Sequence, residues 1–170
     1  MKTLKLILIL SFFVPTLCLA QKKKADKDTQ QWRYEIQATD QQSSQGTYQI
    51  KVWSYSKNAD VATEQAKKNA VHGIIFRGFP ANGRVQGQKA LTNNPNLEQE
   101  QESFFKDFFN TGGKYLKYVS LVNNGAIAAG DRIKISKKEY KVGVVITVNV
   151  SELRKDLENA GIIKKLDAGF

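Results

Sequence analysis

GTYQIKVWSYSKNADVATEQAKKNAVHGIIFRGF, residues 46–79, changes its hydrophobic period from two residues to about four, and this change decides the fold. The first part alternates two sets of side chains, Tyr48, Ile50 and Val52 against Gln49, Lys51, Trp53 and Tyr55. Such alternation predicts a strand with one face against a core. Ser56, Asn58 and Asp60 then follow as candidate N-caps, because their side-chain oxygens accept hydrogen bonds from first-turn amides.

The second part predicts a helix that lies close to a sheet. Its apolar stripe consists of residues four apart, namely Ala62, Ala66, Ala70 and Ile74. Glu64 and Lys68 have the spacing of a favourable pair and are predicted to mark the solvent face. Gly73 is predicted to be a weak point of the helix, and Gly78 its end. A repeated alanine at a helix–helix interface is the alternative interpretation.

The N-terminus has the pattern of an export signal. Lys2 and Lys5 precede the apolar run 6–17, and small residues Cys18 and Ala20 stand before Gln21 as a cleavage site. The run is shorter than the roughly 20 apolar residues of a transmembrane anchor. We therefore predict a signal peptide at residues 1–20 and a mature chain in the periplasm or secreted, with outer-membrane association as a further option. Lipidation at Cys18 is disfavoured because Leu17 precedes it.

Processing at this site would remove the only cysteine, so neither a disulfide nor a thiol site is expected in the mature chain. Because the signal carries two lysines and no acid, the formal charge falls from +10 to +8. A basic exported protein suits an anionic glycan, lipopolysaccharide, nucleic acid or an acidic partner, and charge alone does not choose among them. Residues 21–31 lack periodicity and are predicted to be a disordered polar leader. Residues 32–170 are predicted to form a single domain.

The remaining elements complete the predicted domain. Residues 32–38 alternate and predict a strand that forms a hairpin with the one that follows. Further strands are predicted at 115–122, 132–135 and 139–150, the last in a central position because it is rich in β-branched residues. Ser151 is predicted to cap a last helix with Leu153 and Leu157 inward and Gly161 at its end. The order indicates an α+β fold, a two-layer, mostly antiparallel sheet of four to five strands with helices packed on one face.

Residues 80–95, PANGRVQGQKALTNNP, form a connection long enough to suggest a contact loop, with Arg84 and Lys89 as its basic residues. The glycine and lysine spacing departs from that of a phosphate-binding loop, so no nucleotide is expected. A helix is predicted to begin near Asn96 and to end at residues 112–113. Its early acids, Glu98, Glu100 and Glu102, suit the positive end of the helix dipole. The phenylalanines that follow, Phe104, Phe105, Phe108 and Phe109, predict a core face.

Catalytic patterns are missing from the sequence. His72 is the only histidine, and it lacks the partners of a metal-binding or nucleophilic motif, so it is interpreted as a surface or boundary residue. No cofactor and no enzyme activity are predicted.

One surface has a compositional signal for binding. If the apolar sides of the strands meet the helices, several basic and aromatic residues share the opposite face: Lys51, Trp53, Tyr55, Lys117, Arg132, Lys134 and Lys141. Cations beside aromatic rings hold polyanions or stack on bases and sugars. The alternative is that strand lysines block edge-to-edge aggregation and that Trp53 and Tyr55 are covered by the leader or a partner.

Three features together resemble small secreted bacterial envelope proteins of unknown function and, more distantly, the N-terminal module of the periplasmic flagellar T-ring protein. They are the alanine-striped helix after a strand, the late strand YKVGVVITVNV, and the helix of Leu153 and Leu157 closed by Gly161. The chain differs in lacking a glycine-rich turn at residues 55–58 and in its long loop 80–95. The resemblance implies a small α+β domain that works by protein contact in the envelope, with no catalytic residues to transfer.

Three functional hypotheses follow. The first is a non-catalytic exported binding or assembly module with an envelope protein partner, using the loop and the Trp53 and Tyr55 face. The second is a binder of an anionic glycan or lipopolysaccharide on the basic sheet face. The third is a hydrolase of envelope polymers that uses carboxylates such as Glu98, Glu102 or Asp107.

Overall fold

The computed structural model describes residues 32–41, 44, 46–83, 85–137 and 139–166. The predicted signal peptide (residues 1–20) and polar leader (residues 21–31) lie outside this part of the chain. No helix within the described ranges has both the length and the apolar content that crossing a membrane requires.

Strands and helices alternate irregularly along the chain, as in the predicted α+β class. The strands are β1 (Tyr34–Ala38), β2 (Thr47–Ser56), β3 (Val119–Leu121), β4 (Arg132–Ser136) and β5 (Glu139–Asn149). The α-helices are α1 (Ala59–Phe76), α2 (Leu97–Glu100), α3 (Glu102–Phe108) and α4 (Val150–Asn159). Short 3-10 helices cover Lys114–Tyr118, Val122–Gly125 and Ala129–Asp131.

The five strands form one antiparallel sheet. β2 and β5 pair along their lengths, from Thr47 opposite Asn149 to Ser56 opposite Tyr140. β1 pairs with the other side of β2, while β3 and β4 pair with different parts of β5. The predicted β1–β2 hairpin and the central position of β5 are thus confirmed.

The centre of the sheet face that meets α1 is fully buried. Six of its side chains have no exposed surface: Ile50, Val52, Val142, Val144, Ile146 and Val148. The alanine stripe of α1 and Ile74 are equally buried, so the helix lies close to the strands. At Gly73 a Cβ atom would lie 2.0 Å from Cδ1 of Ile36. Gly73 therefore also allows close packing against β1, a role that its low helix propensity alone does not predict.

The ends of α1 match the sequence signals. Oδ1 of Asn58 accepts a hydrogen bond of 2.9 Å from the amide of Asp60, which caps the first turn. At the other end Gly78 has φ +68°, and its amide donates to the carbonyl of Gly73 over 2.7 Å. This left-handed glycine ends the helix as predicted.

The predicted solvent face of α1 is wrong at Lys68. This residue is 4% exposed, and its Nζ lies 5.7 Å from the ring centroid of Tyr115. Glu64 pairs instead with Lys67 at 2.8 Å. Because α1 is covered on more sides than its alanine stripe, burial lowers the pKa of Lys68 to about 8.

The segment after the long loop differs in detail from the prediction. The helix expected from residue 96 is interrupted at Gln101 (φ −115°, ψ 35°), which separates α2 from α3. Phe105, Phe108 and Phe109 are buried, which confirms their predicted place in the core.

The strand predicted at residues 115–122 is confirmed only for β3. Residues Lys114–Tyr118 instead form a 3-10 helix, in which Tyr115 and Tyr118 are both buried. A 3-10 helix places residues three apart on one side, so both rings enter the core together.

The N-cap of the last helix, α4, lies two residues earlier than predicted. Oδ1 of Asn149, rather than Ser151, accepts a hydrogen bond of 3.0 Å from the amide of Glu152. Leu153 and Leu157 are buried as expected.

The free side of β1 is covered by side chains from the end of α1 and the loop after it. The guanidinium of Arg77 donates to the carbonyl oxygens of Trp32 (3.0 Å) and Tyr34 (3.4 Å). Nδ2 of Asn82 donates to the carbonyl oxygen of Ala38 over 3.4 Å. Unpaired carbonyls on an edge strand invite pairing with another chain, and these donors occupy three of the carbonyls on this side.

Candidate interaction surfaces

Trp53, the centre of the predicted basic aromatic face, is only 9% exposed. Its ring lies against Gly143, where a Cβ atom would sit 3.0 to 3.1 Å from three ring carbons. The indole nitrogen donates to Oε1 of Gln37 over 3.0 Å. Nζ of Lys51 and Nζ of Lys141 lie 5.6 and 5.1 Å from the ring centroid. Because these side chains cover the indole, Trp53 does not offer a ring face for stacking on a base or sugar.

The cations around Trp53 and Tyr55 are each paired with an acid. The pairs are Lys51 with Asp131 (2.9 Å), Lys141 with Glu35 (2.7 Å) and Arg33 with Glu139 (2.9 Å). Hydrogen bonds from Lys141 and from the Tyr55 hydroxyl hold the pKa of Glu35 below its usual value. Three positive charges therefore face three negative charges, and these pairs offer no net positive charge to a polyanion.

Arg132 and Lys134 lie on the opposite side of the sheet from Trp53. In the register of β4 with β5, Arg132 is opposite Val142 and Lys134 is opposite Tyr140. Cross-strand partners share a face, and Val142 belongs to the buried one. The prediction that Arg132 and Lys134 share a face with Trp53 is therefore wrong.

Lys117 is also separate from the predicted face. It lies in the 3-10 helix Lys114–Tyr118 and forms ion pairs with Glu152 (2.9 Å) and Asp156 (2.8 Å) of α4. These two carboxylates accept hydrogen bonds from Lys117 and raise its pKa. Lys117 therefore links two elements of the domain.

The strand β4 is the most exposed regular element of the sheet. All five of its residues are exposed, and within the described chain it pairs with β5 alone. Ile133 and Ile135 are 47% and 46% exposed, and Leu166, at 72%, is the third exposed large hydrophobic residue in the described ranges. An exposed apolar edge strand is a template for pairing with another chain.

The loop of residues 80–95 is held at its base. Phe79 and Gln88 exchange two backbone hydrogen bonds of 2.8 and 3.0 Å. The amides of Leu91 and Thr92 donate to the last carbonyls of α1, each over 3.1 Å. The exposed Lys89 is thus presented on a fixed backbone, whereas Arg84 lies outside the described residues.

His72 is buried at 4% exposure, so the prediction of a surface or boundary histidine is wrong. Its Nδ1 lies 2.6 Å from the Tyr34 hydroxyl, and its Nε2 lies 3.3 Å from Oε2 of Glu98. Trp32 stacks on the imidazole with ring centroids 3.7 Å apart, and its indole nitrogen donates to Oε1 of Glu98 over 2.8 Å. We call these four residues the His72 cluster.

The electrostatics of the cluster fix the direction of its hydrogen bonds. Burial lowers the pKa of His72, although the hydrogen bond to Glu98 opposes this effect. Burial raises the pKa of the Tyr34 hydroxyl. Desolvation opposes ionisation of Glu98, but hydrogen bonds from His72 and Trp32 hold its pKa below the usual value. At neutral pH, Tyr34 therefore donates to Nδ1, and Nε2–H of the neutral imidazole donates to Glu98.

The cluster has the hydroxyl, imidazole and carboxylate order of a nucleophilic triad, but its hydroxyl is not presented to a substrate. Tyr34 is 7% exposed, and its hydroxyl is already bonded to His72. The contacts fit a structural anchor that joins the residues before β1 to α1 and α2. Glu102 and Asp107 are exposed on α3, and the described ranges hold no group of three or more His, Cys, Asp or Glu residues arranged for a metal ion.

Comparison of the chain with protein-family models, curated proteins and solved structures found no match.

Proposed function

We propose that this protein is a non-catalytic exported module that binds another envelope protein by adding a strand at the free edge of β4. The observation that carries the proposal is the exposure of Ile133 and Ile135 on an edge strand that, among the residues the structure describes, pairs on one side only. Export follows from the signal predicted at residues 1–20. In strand addition, backbone hydrogen bonds supply affinity and alternate side chains supply specificity.

The side chains of β4 define the chemistry of the partner. Arg132 and Lys134 lie opposite Val142 and Tyr140 on one face, and Ile133 lies opposite Lys141 on the other, while a β-bulge between Lys134 and Ser136 interrupts the alternation at Ile135. The complementary segment is an extended strand that alternates apolar and acidic residues. A second copy of β4 is less suitable, because an antiparallel pairing centred on Lys134 places two lysines opposite each other.

The sheet face and the acids support this proposal over the other two hypotheses. The cations beside Trp53 are neutralised by carboxylates, which leaves little attraction for an anionic glycan there. Glu98 is engaged by Trp32 and His72, so it is held in a structural network rather than aimed at a second acid. The exposed edge of β4, which can form backbone hydrogen bonds with an added strand, remains the surface best suited to bind a partner.

The test uses a fluorescein-labelled peptide, Thr-Glu-Val-Glu-Val-Glu-Thr, in a fluorescence-polarisation titration. We expect binding that weakens about tenfold in Arg132→Glu/Lys134→Glu, because favourable cross-strand charge pairs become repulsive. Ile133→Thr/Ile135→Thr, which keeps β-branching but removes apolar surface, should weaken it as well. Lys57→Glu/Lys106→Glu carries the same charge change on exposed residues elsewhere and should bind like the original.

Hydrogen exchange locates the binding. Bound peptide should slow the exchange of amides in residues 132–136 and leave the amides of β1 unchanged. Protection elsewhere, or equal affinity in all variants, would refute strand addition at β4. A concentration-dependent dimer in sedimentation, lost in Ile133→Thr/Ile135→Thr, would instead assign the edge to a second copy of the chain.

A further inference from the structure

A groove separate from β4 lies between the long loop and the C-terminal segment. It is lined by residues 89–94 and Leu97 on one side and by Arg154 and residues 162–166 on the other, and we call it the C-terminal groove. Its volume is about 840 Å³, within the range of about 300–1,000 Å³ that is typical of small-molecule sites. We propose that the C-terminal groove binds a single alkyl chain that carries an anionic head group, taken up from solution as one molecule. This proposal is independent of strand addition at β4.

The floor of the groove is apolar and well supported. Leu91, Leu97 and Ile163 are 7%, 6% and 8% exposed, and all three belong to the main hydrophobic core. Leu166, by contrast, is 72% exposed at the margin of the groove. An alkyl chain lying over this floor would chiefly cover the exposed side chain of Leu166 and the half-buried Ile162, because the floor residues themselves have little surface in water.

The rim of the groove is basic. Lys89, Lys164 and Lys165 are exposed along it, and no acidic residue of the described ranges lines the groove. Arg154 differs from them because it pairs with Glu158 at 3.3 Å. No ion pair within the described chain engages the three rim lysines, so their charge is available to a ligand. This arrangement contrasts with the sheet face, where carboxylates neutralise the cations.

The apolar floor and the basic rim together define the chemistry of the ligand. A hydrophilic polyanion would satisfy the rim lysines but would leave the apolar side chain of Leu166 in contact with water. A neutral hydrocarbon would cover the floor but make no use of the positive charge. An amphiphile with one alkyl chain and one anionic group satisfies both.

Isothermal titration calorimetry tests the proposal with alkyl phosphates below their critical micelle concentrations. Dodecyl phosphate should bind, and decyl phosphate should bind about tenfold more weakly because two fewer methylenes are buried. The non-ionic dodecyl maltoside should bind much more weakly than dodecyl phosphate. Affinity for the phosphates should fall as salt is added, because salt screens the rim lysines.

Two matched sets of lysine variants distinguish binding in the C-terminal groove from a general effect of net charge. Lys89→Gln/Lys164→Gln/Lys165→Gln should weaken dodecyl phosphate about tenfold, and Leu166→Gln should reduce the dependence on chain length. Lys57→Gln/Lys106→Gln/Lys114→Gln removes the same charge from exposed positions outside the groove and should bind like the original.

Three results would overturn the proposal. The first is an equal effect of the two triple variants, which would mean that binding follows net charge. The second is binding to anionic phosphatidylglycerol vesicles without binding to monomeric dodecyl phosphate, which would assign the groove to a membrane surface. The third is binding that occurs only after removal of residues 167–170, which would show that the chain fills the groove with its own C-terminus.

Discussion

The hydrogen bond between Tyr34 and His72 allows a quantitative prediction of how the free energy of unfolding changes when one or both partners are removed. His72→Phe keeps a ring against Trp32 but removes the acceptor of the Tyr34 hydroxyl, which is buried at 7% exposure. A buried polar group left without its partner costs about 1–3 kcal/mol, so we expect this loss in the free energy of unfolding. Tyr34→Phe leaves Nδ1 of His72 without its donor and should cost a similar amount.

The double variant Tyr34→Phe/His72→Phe removes both groups at once. Replacing both partners with apolar rings of similar shape is close to neutral, so we expect it to be less destabilised than the sum of the single variants, by about 1–2 kcal/mol. Glu98 loses one donor but keeps Trp32, and its side chain is 35% exposed to water. Urea denaturation at neutral pH, followed by circular dichroism, gives all three values.

The matched control is Tyr55→Phe, whose hydroxyl donates to Glu35 on the exposed sheet face. Surface changes of this kind usually stay within about 0.5 kcal/mol. If the single-variant losses in the His72 cluster simply add in the double variant, the hydrogen bond between Tyr34 and His72 does not contribute as described.

Three further predictions concern the pH dependence of stability and the packing around α1. Because burial lowers the pKa of His72 from 6.5, the unfolded chain binds more protons than the folded chain below this pH. The contribution of His72 to the free energy of unfolding is therefore complete above about pH 6.5 and falls as the pH decreases, by at most about 1.4 kcal/mol per pH unit for one proton. His72→Phe should remove this slope when unfolding is measured as a function of pH. Gly78→Ala should lower the melting temperature more than Gly112→Ala. Both glycines have positive φ, but a Cβ at Gly78 would lie 2.2 Å from the carbonyl oxygen of Gln88, whereas nothing lies within 4 Å at Gly112; equal losses would contradict the described crowding. Ala66→Leu should cost about 1–3 kcal/mol in urea unfolding, because the stripe of α1 is fully buried, and a neutral result would mean that α1 does not pack this closely.

The parts of the fold that the sequence predicts are those with strong local patterns. The alternation of residues 48–55, the alanine stripe and the β-branched run in β5 each identify an element and its buried side. The helix caps follow the same logic, except at α4, where Asn149 and Ser151 are both competent and the chain uses Asn149. The break at Gln101 and the 3-10 helix at Lys114–Tyr118 have no comparable local signal.

The surfaces were harder to predict because they depend on neighbours that are distant in sequence. Alternation placed Trp53 on the correct side of β2, but it does not show that Lys51 and Lys141 fold over the indole. The face of Arg132 depends on the register of β4, and a shift by one residue reverses every side chain. His72 meets Tyr34 and Glu98 across separations of 38 and 26 residues, which no local motif reveals.

The difference between the two sides of the sheet limits what strand addition can build. Arg77 and Asn82 engage carbonyl oxygens along the free side of β1, whereas all five residues of β4 are exposed, so β4 is the more accessible of these two edges. Addition at β4 alone stops after one strand, either as a complex with a single partner or as a pair of copies. A chain that adds a strand only at β4 can therefore expose this edge at high concentration without nucleating a fibril.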